Sequence, residues 1–343
     1  MPLREWIAEY MGSLGVPCDV DNIVITTGSQ QALDFLGKLF ISPGDPVLVT
    51  APTYLGALQA FNAYEPSYET LELDGSPATA GFFRTGTNRH PALAYVVSDF
   101  GNPTGETLTL AQRERLLALS SELKVPLIED AAYEAIRFSG ERVRSLQALD
   151  IERVGSIEQS KVIYSGTFSK TIAPGFRVGW ICAAKELVAK VVLTKQAADL
   201  HSSTLNQMIV HRVASTCFGE HVAMLNQVYG RRRDAMLAAM DESMPEGVQW
   251  TSPEGGMFVW VELPTGMDSA ELLRTAIDEE GIAFVPGGSF FADRSGTNYL
   301  RLNYTLASEA IIKDGMQRLG QLINREIARG LMVESSLAAV GSS

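Results

Sequence analysis

From Asn22 onward, short apolar runs alternate with longer stretches of helical spacing. NIVITT (22–27) reads as a strand, and SQQALDFLGKLF (29–40), with apolar residues three and four apart, reads as a helix. PVLVT (46–50) predicts a second strand, 55–64 a helix, and YETLEL (68–73) a third strand. ALAYVV (92–97), TLAQRERLLALSSEL (109–123) and VPLIED (125–130) form a strand–helix–strand unit, and KVIYSG (161–166) and RVGWICA (177–183) add two more strands. This alternation predicts an α/β fold, a mostly parallel sheet covered by helices on both faces. Sheets of that kind bind ligands beyond the carboxyl ends of their strands. The residues just after each apolar run are therefore where chemistry is expected.

The texture then changes. Residues 186–240 are helical in pattern almost throughout, whereas GMFVWVELP (256–264), GIAFVPGG (281–288) and NYLRLNY (298–304) read as strands, with helices near 269–280 and 309–328. The pattern predicts a large domain over 15–240 and a smaller α+β domain over 241–330, joined by the leading helix within 1–14. LMVESSLAAVGSS (331–343) is expected to be a loose tail. A length of 343 residues accommodates two domains.

Composition narrows the classes. With 46% hydrophobic and 20% charged residues the chain has ample material for a core. Its 28 Lys and Arg against 40 Asp and Glu give a net charge of −12, which argues against a nucleic-acid partner, since such binding needs a cationic stripe. The long charge-free stretch 46–64 is broken by Pro46, Pro52, Gln59 and Asn62, so no membrane span is expected. MPLREWIAEYM carries charges where a signal peptide needs an apolar core. Cys18, Cys182 and Cys217 are too scattered for a disulfide framework, and the four His residues suggest no metal site. A cytoplasmic protein is expected.

The chemistry concentrates in YSGTFSKTIAPGFRVGW (164–180). Ser/Thr-x-x-Lys also occurs in serine acyl-transfer enzymes, but no SDN or KTG element accompanies it here. More specific is the interval from Lys170 to Arg177, with Pro174 and Gly175 between. Further motifs follow in order: Gly28-Ser29-Gln30, Pro52-Thr53-Tyr54, Asn102-Pro103-Thr104-Gly105, Asp130 with Tyr133, and Arg301 in NYLRLNY. Together they resemble the fold-type I aminotransferases (class I/II), which use pyridoxal 5′-phosphate (PLP). The resemblance covers essentially the whole chain. It is strongest to the branch holding 2-aminoadipate, kynurenine and aromatic aminotransferases and the catalytic half of MocR-type regulators.

The resemblance implies a role for each residue. Lys170 is the amine that condenses with the PLP aldehyde and later shuttles a proton, which requires a depressed pKa. Asp130 pairs with the pyridine nitrogen and keeps it protonated; read alone, it could equally cap a helix. Tyr133 and Asn102 bond the phenolic oxygen of PLP, and Tyr54 stacks on its ring. Gly28, Ser29 and Gln30 open a helix whose amides receive the phosphate, with Arg177, Thr167 and Ser169 completing the cup. Arg301, with Asn102, holds the substrate carboxylate in a fork that lysine cannot reproduce.

The implied activity is transfer of an amino group from an aminoadipate, aromatic or broader amino acid to a 2-oxo acid such as 2-oxoglutarate, by a ping-pong cycle in a homodimer with shared sites. Two other readings stay open: an effector-sensing module of a MocR-type regulator, and a PLP-dependent C–S β-lyase. Relatives carry an N-terminal arm before the helix resembling PLREWIAEYM. A protein starting at Met1 without one is expected to bind PLP weakly and turn over poorly.

Overall fold

The computed structural model describes residues 2–73 and 89–341. The elements in chain order begin with α1 (Pro2–Ser13), β1 (Ile23–Thr26), α2 (Ser29–Phe40), β2 (Pro46–Val49), α3 (Leu55–Asn62), β3 (Ser67–Thr70) and β4 (Leu93–Val97). They continue with α4 (Leu110–Leu123), β5 (Leu127–Asp130), α5 (Leu146–Val154), β6 (Val162–Thr167), β7 (Gly179–Cys182), α6 (Lys185–Ala198) and α7 (Thr204–Ser243). The last are β8 (Gln249–Trp250), β9 (Phe258–Glu262), α8 (Ser269–Glu280), β10 (Val285–Pro286), β11 (Tyr299–Asn303) and α9 (Glu309–Gly341).

Seven strands form one sheet in the order β1-β7-β6-β5-β4-β2-β3. β6, β5, β4, β2 and β3 run parallel, while β7 is antiparallel to both β6 and β1. β1 therefore points the same way as β6, and the carboxyl ends of β1, β2, β4, β5 and β6 share one edge. Most of these strands are buried on both faces, which explains apolar runs that do not alternate. On one face Val47, Tyr95, Ile128 and Ile163 pack against Leu33 and Leu36 of α2 and Val188 of α6. On the other, Leu48, Val96 and Leu127 pack against Leu116 of α4 and Leu149 of α5.

A second sheet, β10-β11-β9-β8, is antiparallel throughout. Its core joins Val259 and Leu302 to Leu272 of α8, Leu319 of α9 and Met240 of α7. Helix α7 connects the two cores: Val210 and Ala214 lie in a core cluster of the large sheet, Met236 and Met240 in that of the small one, and the backbone kinks at Cys217 between them.

Several expectations need correction. Helix α1 does not join the smaller unit. Its buried face, Leu3, Ile7 and Met11, packs on Ile23 and Ile25 of β1 together with Tyr164 and Trp180. A spacing of four residues defines an apolar face without naming its partner, and the short connection to β1 decides it. Residues 331–341 continue α9 as helix, and 342 and 343 lie outside the described residues. Leu331, Met332, Leu337 and Ala338 are good helix formers and no proline interrupts them. Of GIAFVPGG only Val285 and Pro286 pair as strand. Helix α5 was not anticipated.

Candidate active site

Five strand ends deliver the predicted residues to one edge. β1 leads into Gly28, which precedes α2 with φ 75° and carries no side chain that could cap the helix. A Cβ on Gly28 would run into the Arg177 guanidinium, so the bare backbone lets that cation lie across the start of α2. β2 leads to Tyr54 at the start of α3, β4 to Asn102, β5 ends on Asp130 with Tyr133 in the next turn, and β6 ends on Thr167 just before Ser169 and Lys170. Ser29, Gln30, Tyr54, Asp130, Tyr133, Thr167, Ser169, Lys170 and Arg177 line one narrow cleft of about 90 Å³. Asn102 lines a neighbouring cavity of about 210 Å³ that shares Tyr54 and Val97 with this cleft.

The wall near α2 is rich in hydroxyls and cation. Thr167 Oγ1 donates to Ser169 Oγ at 2.9 Å, and Ser169 N donates back to Thr167 Oγ1 at 3.1 Å. Arg177 Nη1 donates to Ser169 Oγ at 3.3 Å and to the Pro174 carbonyl at 3.2 Å. Gln30 spends its side chain elsewhere, donating from Nε2 to the Gly56 carbonyl at 2.6 Å and so fixing α3 against α2. What it offers the cleft is its place in the first turn of α2, where amide N–H groups lack helical partners and favour an anion.

At the centre lie Asp130 and Lys170. Burial raises the Asp130 carboxyl to about 6, opposed by the Tyr95 hydrogen bond, the Ala132 amide and the Lys170 charge. Its Oδ2 accepts from the Tyr95 hydroxyl at 2.9 Å, while Oδ1 is buried and has no partner among the described residues. Burial lowers the Lys170 ammonium; Arg177 and Arg301 push the same way and Asp130 resists. Lys170 Nζ stands 5.9 Å from the centroid of the Tyr133 ring. Tyr133 is held edge-on by Phe258, and its hydroxyl accepts from Asn102 Nδ2 at 3.5 Å.

The second sheet contributes one cation. Arg301 of β11 donates from Nη1 to Asn102 Oδ1 at 2.7 Å, and its guanidinium carbon lies 4.0 Å from the Phe258 ring centroid and 5.1 Å from that of Phe290. Its Nε is buried and unpartnered among the described residues. The three cations Lys170, Arg177 and Arg301 thus face one anion, Asp130, in a chain of net charge −12. Such a local excess draws in anionic ligands.

The structure thus places every predicted residue at or beside one cleft. Sequence reading missed Tyr95, Phe258 and Phe290. Tyr95 had a legible signal, as the single side chain with a polar atom inside ALAYVV; nothing local marks the two phenylalanines as partners of Arg301.

A mostly parallel sheet with a buried acid, a half-buried lysine and an anion cup at its carboxyl edge fits a PLP enzyme of fold type I. Comparison identifies the family. The aminotransferase class I and II family matches residues 2–319. An aromatic-amino-acid aminotransferase of Thermococcus litoralis is 41% identical over 96% of this chain and 79% of its own length, and a 2-aminoadipate transaminase of Thermus thermophilus is 40% identical over 95% and 80%. The crystal structure of a Pyrococcus horikoshii kynurenine aminotransferase in complex with PMP superposes with a TM-score of 0.86 at 41% identity, covering 95% of this chain and 80% of that one. The chain belongs to the class I and II aminotransferases, in the branch of the aromatic, 2-aminoadipate and kynurenine enzymes, and is a PLP-dependent transaminase.

The cleft fits that cofactor on two independent counts. Asp130 Oδ1 is an orphaned buried acceptor that needs a donor, and a protonated pyridine nitrogen is one. The uncapped start of α2, with Arg177 and Ser169 beside it, suits a phosphate.

Proposed function

We propose that this transaminase moves the amino group of an aromatic, aminoadipate-like or wider range of amino acids to a 2-oxo acid such as 2-oxoglutarate, with Lys170, Asp130 and Tyr133 as its catalytic residues. The observation that carries this reading is the pairing of a lysine lowered by burial with a buried carboxylate that keeps one oxygen free. When bound, PLP supplies an electron sink for the pair released at the substrate's α-carbon.

The protein residues divide the remaining work. Lys170, neutral for a larger share of the time than an exposed lysine, would take the proton from the substrate's α-carbon and deliver it to C4′ of the cofactor. Asp130 Oδ1, buried and without a partner among the described residues, would hold a proton on the cofactor's ring nitrogen. Tyr133 and Asn102, already joined to each other, would hydrogen-bond the phenolic oxygen, and Tyr54 would cover the ring. The first amides of α2, with Thr167, Ser169 and Arg177, would carry the phosphate.

Arg301 grips the substrate carboxylate together with Asn102, in a position fixed by the Phe258 and Phe290 rings. A side chain anchored there has the larger cavity beside it, walled by Leu71, Leu73 and Leu108 together with Thr50, Glu106 and Gln112, which leaves room for a long side chain, apolar or polar. The branch of the named relatives, acting on aromatic amino acids, 2-aminoadipate and kynurenine, supports the same range.

The reading extends to a cytoplasmic homodimer. Among the described residues no helix is long and apolar enough to cross a membrane. Leu193, Leu200, Leu205 and Met208 stand exposed around the α6–α7 junction, as a subunit contact would need; a single-chain mass by sedimentation would refute the dimer. A panel of aromatic, 2-aminoadipate and small aliphatic donors against several 2-oxo acids tests the substrate range. Highest kcat/KM for aromatic or aminoadipate donors supports it, and exclusive use of small aliphatic donors refutes it.

A further inference from the structure

We propose that Tyr95 is a positioning residue for the cofactor: its hydroxyl clamps one oxygen of Asp130, so that the carboxylate presents only the other to the ring nitrogen. This rests on the assignment of Asp130 made above.

Strand geometry explains the contact. β4 and β5 pair in parallel with Val97 opposite Asp130 and Tyr95 opposite Ile128. Side chains alternate along a strand, so Tyr95 lies on the same face as Asp130, one diagonal step back toward the amino end. A residue two positions behind needs a long side chain with a polar tip to reach the carboxylate, and tyrosine has both. Its ring is fully buried and set edge-on to Phe61 at 5.8 Å, so the hydroxyl is aimed by core packing. It donates to Asp130 Oδ2 at 2.9 Å.

The bond does two things. It blocks rotation of the carboxylate about its last torsion, which would otherwise exchange the two oxygens. It also favours the ionised form, offsetting part of the desolvation that pushes the acid up to about 6. The other titratable groups facing Asp130 are Lys170 after β6, Tyr54 at the start of α3 and Tyr133 in the following turn. Lys170 also favours the carboxylate through its charge; Tyr54 and Tyr133 face it without a hydrogen bond among the described residues. A tyrosine that merely filled the core and found a convenient acceptor would contribute stability and nothing more.

The test is PLP affinity of the apoenzyme as a function of pH, in wild type, Tyr95→Phe and Asp130→Asn. In the wild type affinity falls as Asp130 gains its proton. Losing the Tyr95 donor raises the acid further, so in Tyr95→Phe the midpoint of that fall moves to higher pH, and affinity at pH values below both midpoints drops about tenfold for each unit of that shift. Tyr95 replaced by 3-fluorotyrosine, a stronger donor that keeps the ring, moves the midpoint the opposite way and decides the matter if the phenylalanine variant does not fold. Asp130→Asn loses the part of the fall that the Asp130 carboxyl contributes, leaving only the part due to Lys170 and the phosphate. An unmoved midpoint in the Tyr95 variants, with Asp130→Asn behaving as stated, overturns the positioning role alone. An Asp130→Asn profile identical to wild type overturns the assignment of Asp130 on which it rests.

Discussion

The Asp130 carboxyl is held by the fold in a state it would not choose. In the unfolded chain it ionises near 3.8, whereas in the folded apoenzyme it holds its proton to about 6. Between those values the folded state binds more protons than the unfolded one, so its stability declines as pH rises through that window and stays low above it. A shift of roughly two units corresponds to about 3 kcal/mol. Asp130→Asn keeps the shape and an acceptor for Tyr95 but has no charge to bury. The apo variant is therefore expected to exceed wild-type apoenzyme in stability by up to about 3 kcal/mol at pH 8, with little difference near pH 4. Denaturant unfolding of both apo forms at the two pH values checks this, and equal stabilities at pH 8 would contradict it. Lys170, Asp130, Arg177 and Arg301 were legible because their spacing and order were informative; Tyr95 was not picked out, because an apolar run hides which face each side chain takes and what stands beside it.

Elements differ in how much they reveal. α2 spans the residues its periodicity predicted, Ser29–Phe40, because a twelve-residue amphipathic pattern follows a strand and a glycine. α5 went unseen because its nine residues are mostly buried and its start is marked only by Ser145. α1 showed its face but not its partner. Its packing on β1 and β7 also supports the site, since Trp6 and Tyr10 lie against Phe218, and Trp6 and Trp180 against Phe168, which sits inside the turn that carries Lys170. Ile7, fully buried there, is expected to cost about 2–5 kcal/mol when cut to alanine, measured as a lower denaturation midpoint with an unchanged slope. At the start of α2, Gly28→Ala places a Cβ where the Arg177 guanidinium lies and forces a side chain into a backbone region that is almost glycine-only. A penalty of about 1–3 kcal/mol on that turn predicts PLP binding weakened roughly tenfold or more, read by titration of the apoenzyme. Unchanged affinity would mean that the start of α2 does not hold the phosphate.

At the scale of the molecule, the site exists because two sheets meet. The large sheet aligns five strand ends, and the small one contributes Arg301, which crosses to Asn102 at 2.7 Å. The α/β class and the existence of a second sheet could be read from the change of pattern near residue 247. Which core α1 joins, and that α7 serves both, could not, because a helix of repeated apolar spacing is compatible with either core. The central claim concerns the one lysine at the meeting point. A single turnover of PLP-loaded enzyme with an aromatic or 2-aminoadipate donor, without any oxo-acid acceptor, tests it most directly when wild type and Lys170→Ala are compared. Wild type is expected to yield one equivalent of the matching 2-oxo acid per site and then stop, with the variant slower by at least about a thousandfold, the order expected when a general base is removed. Undiminished conversion by Lys170→Ala would contradict the account.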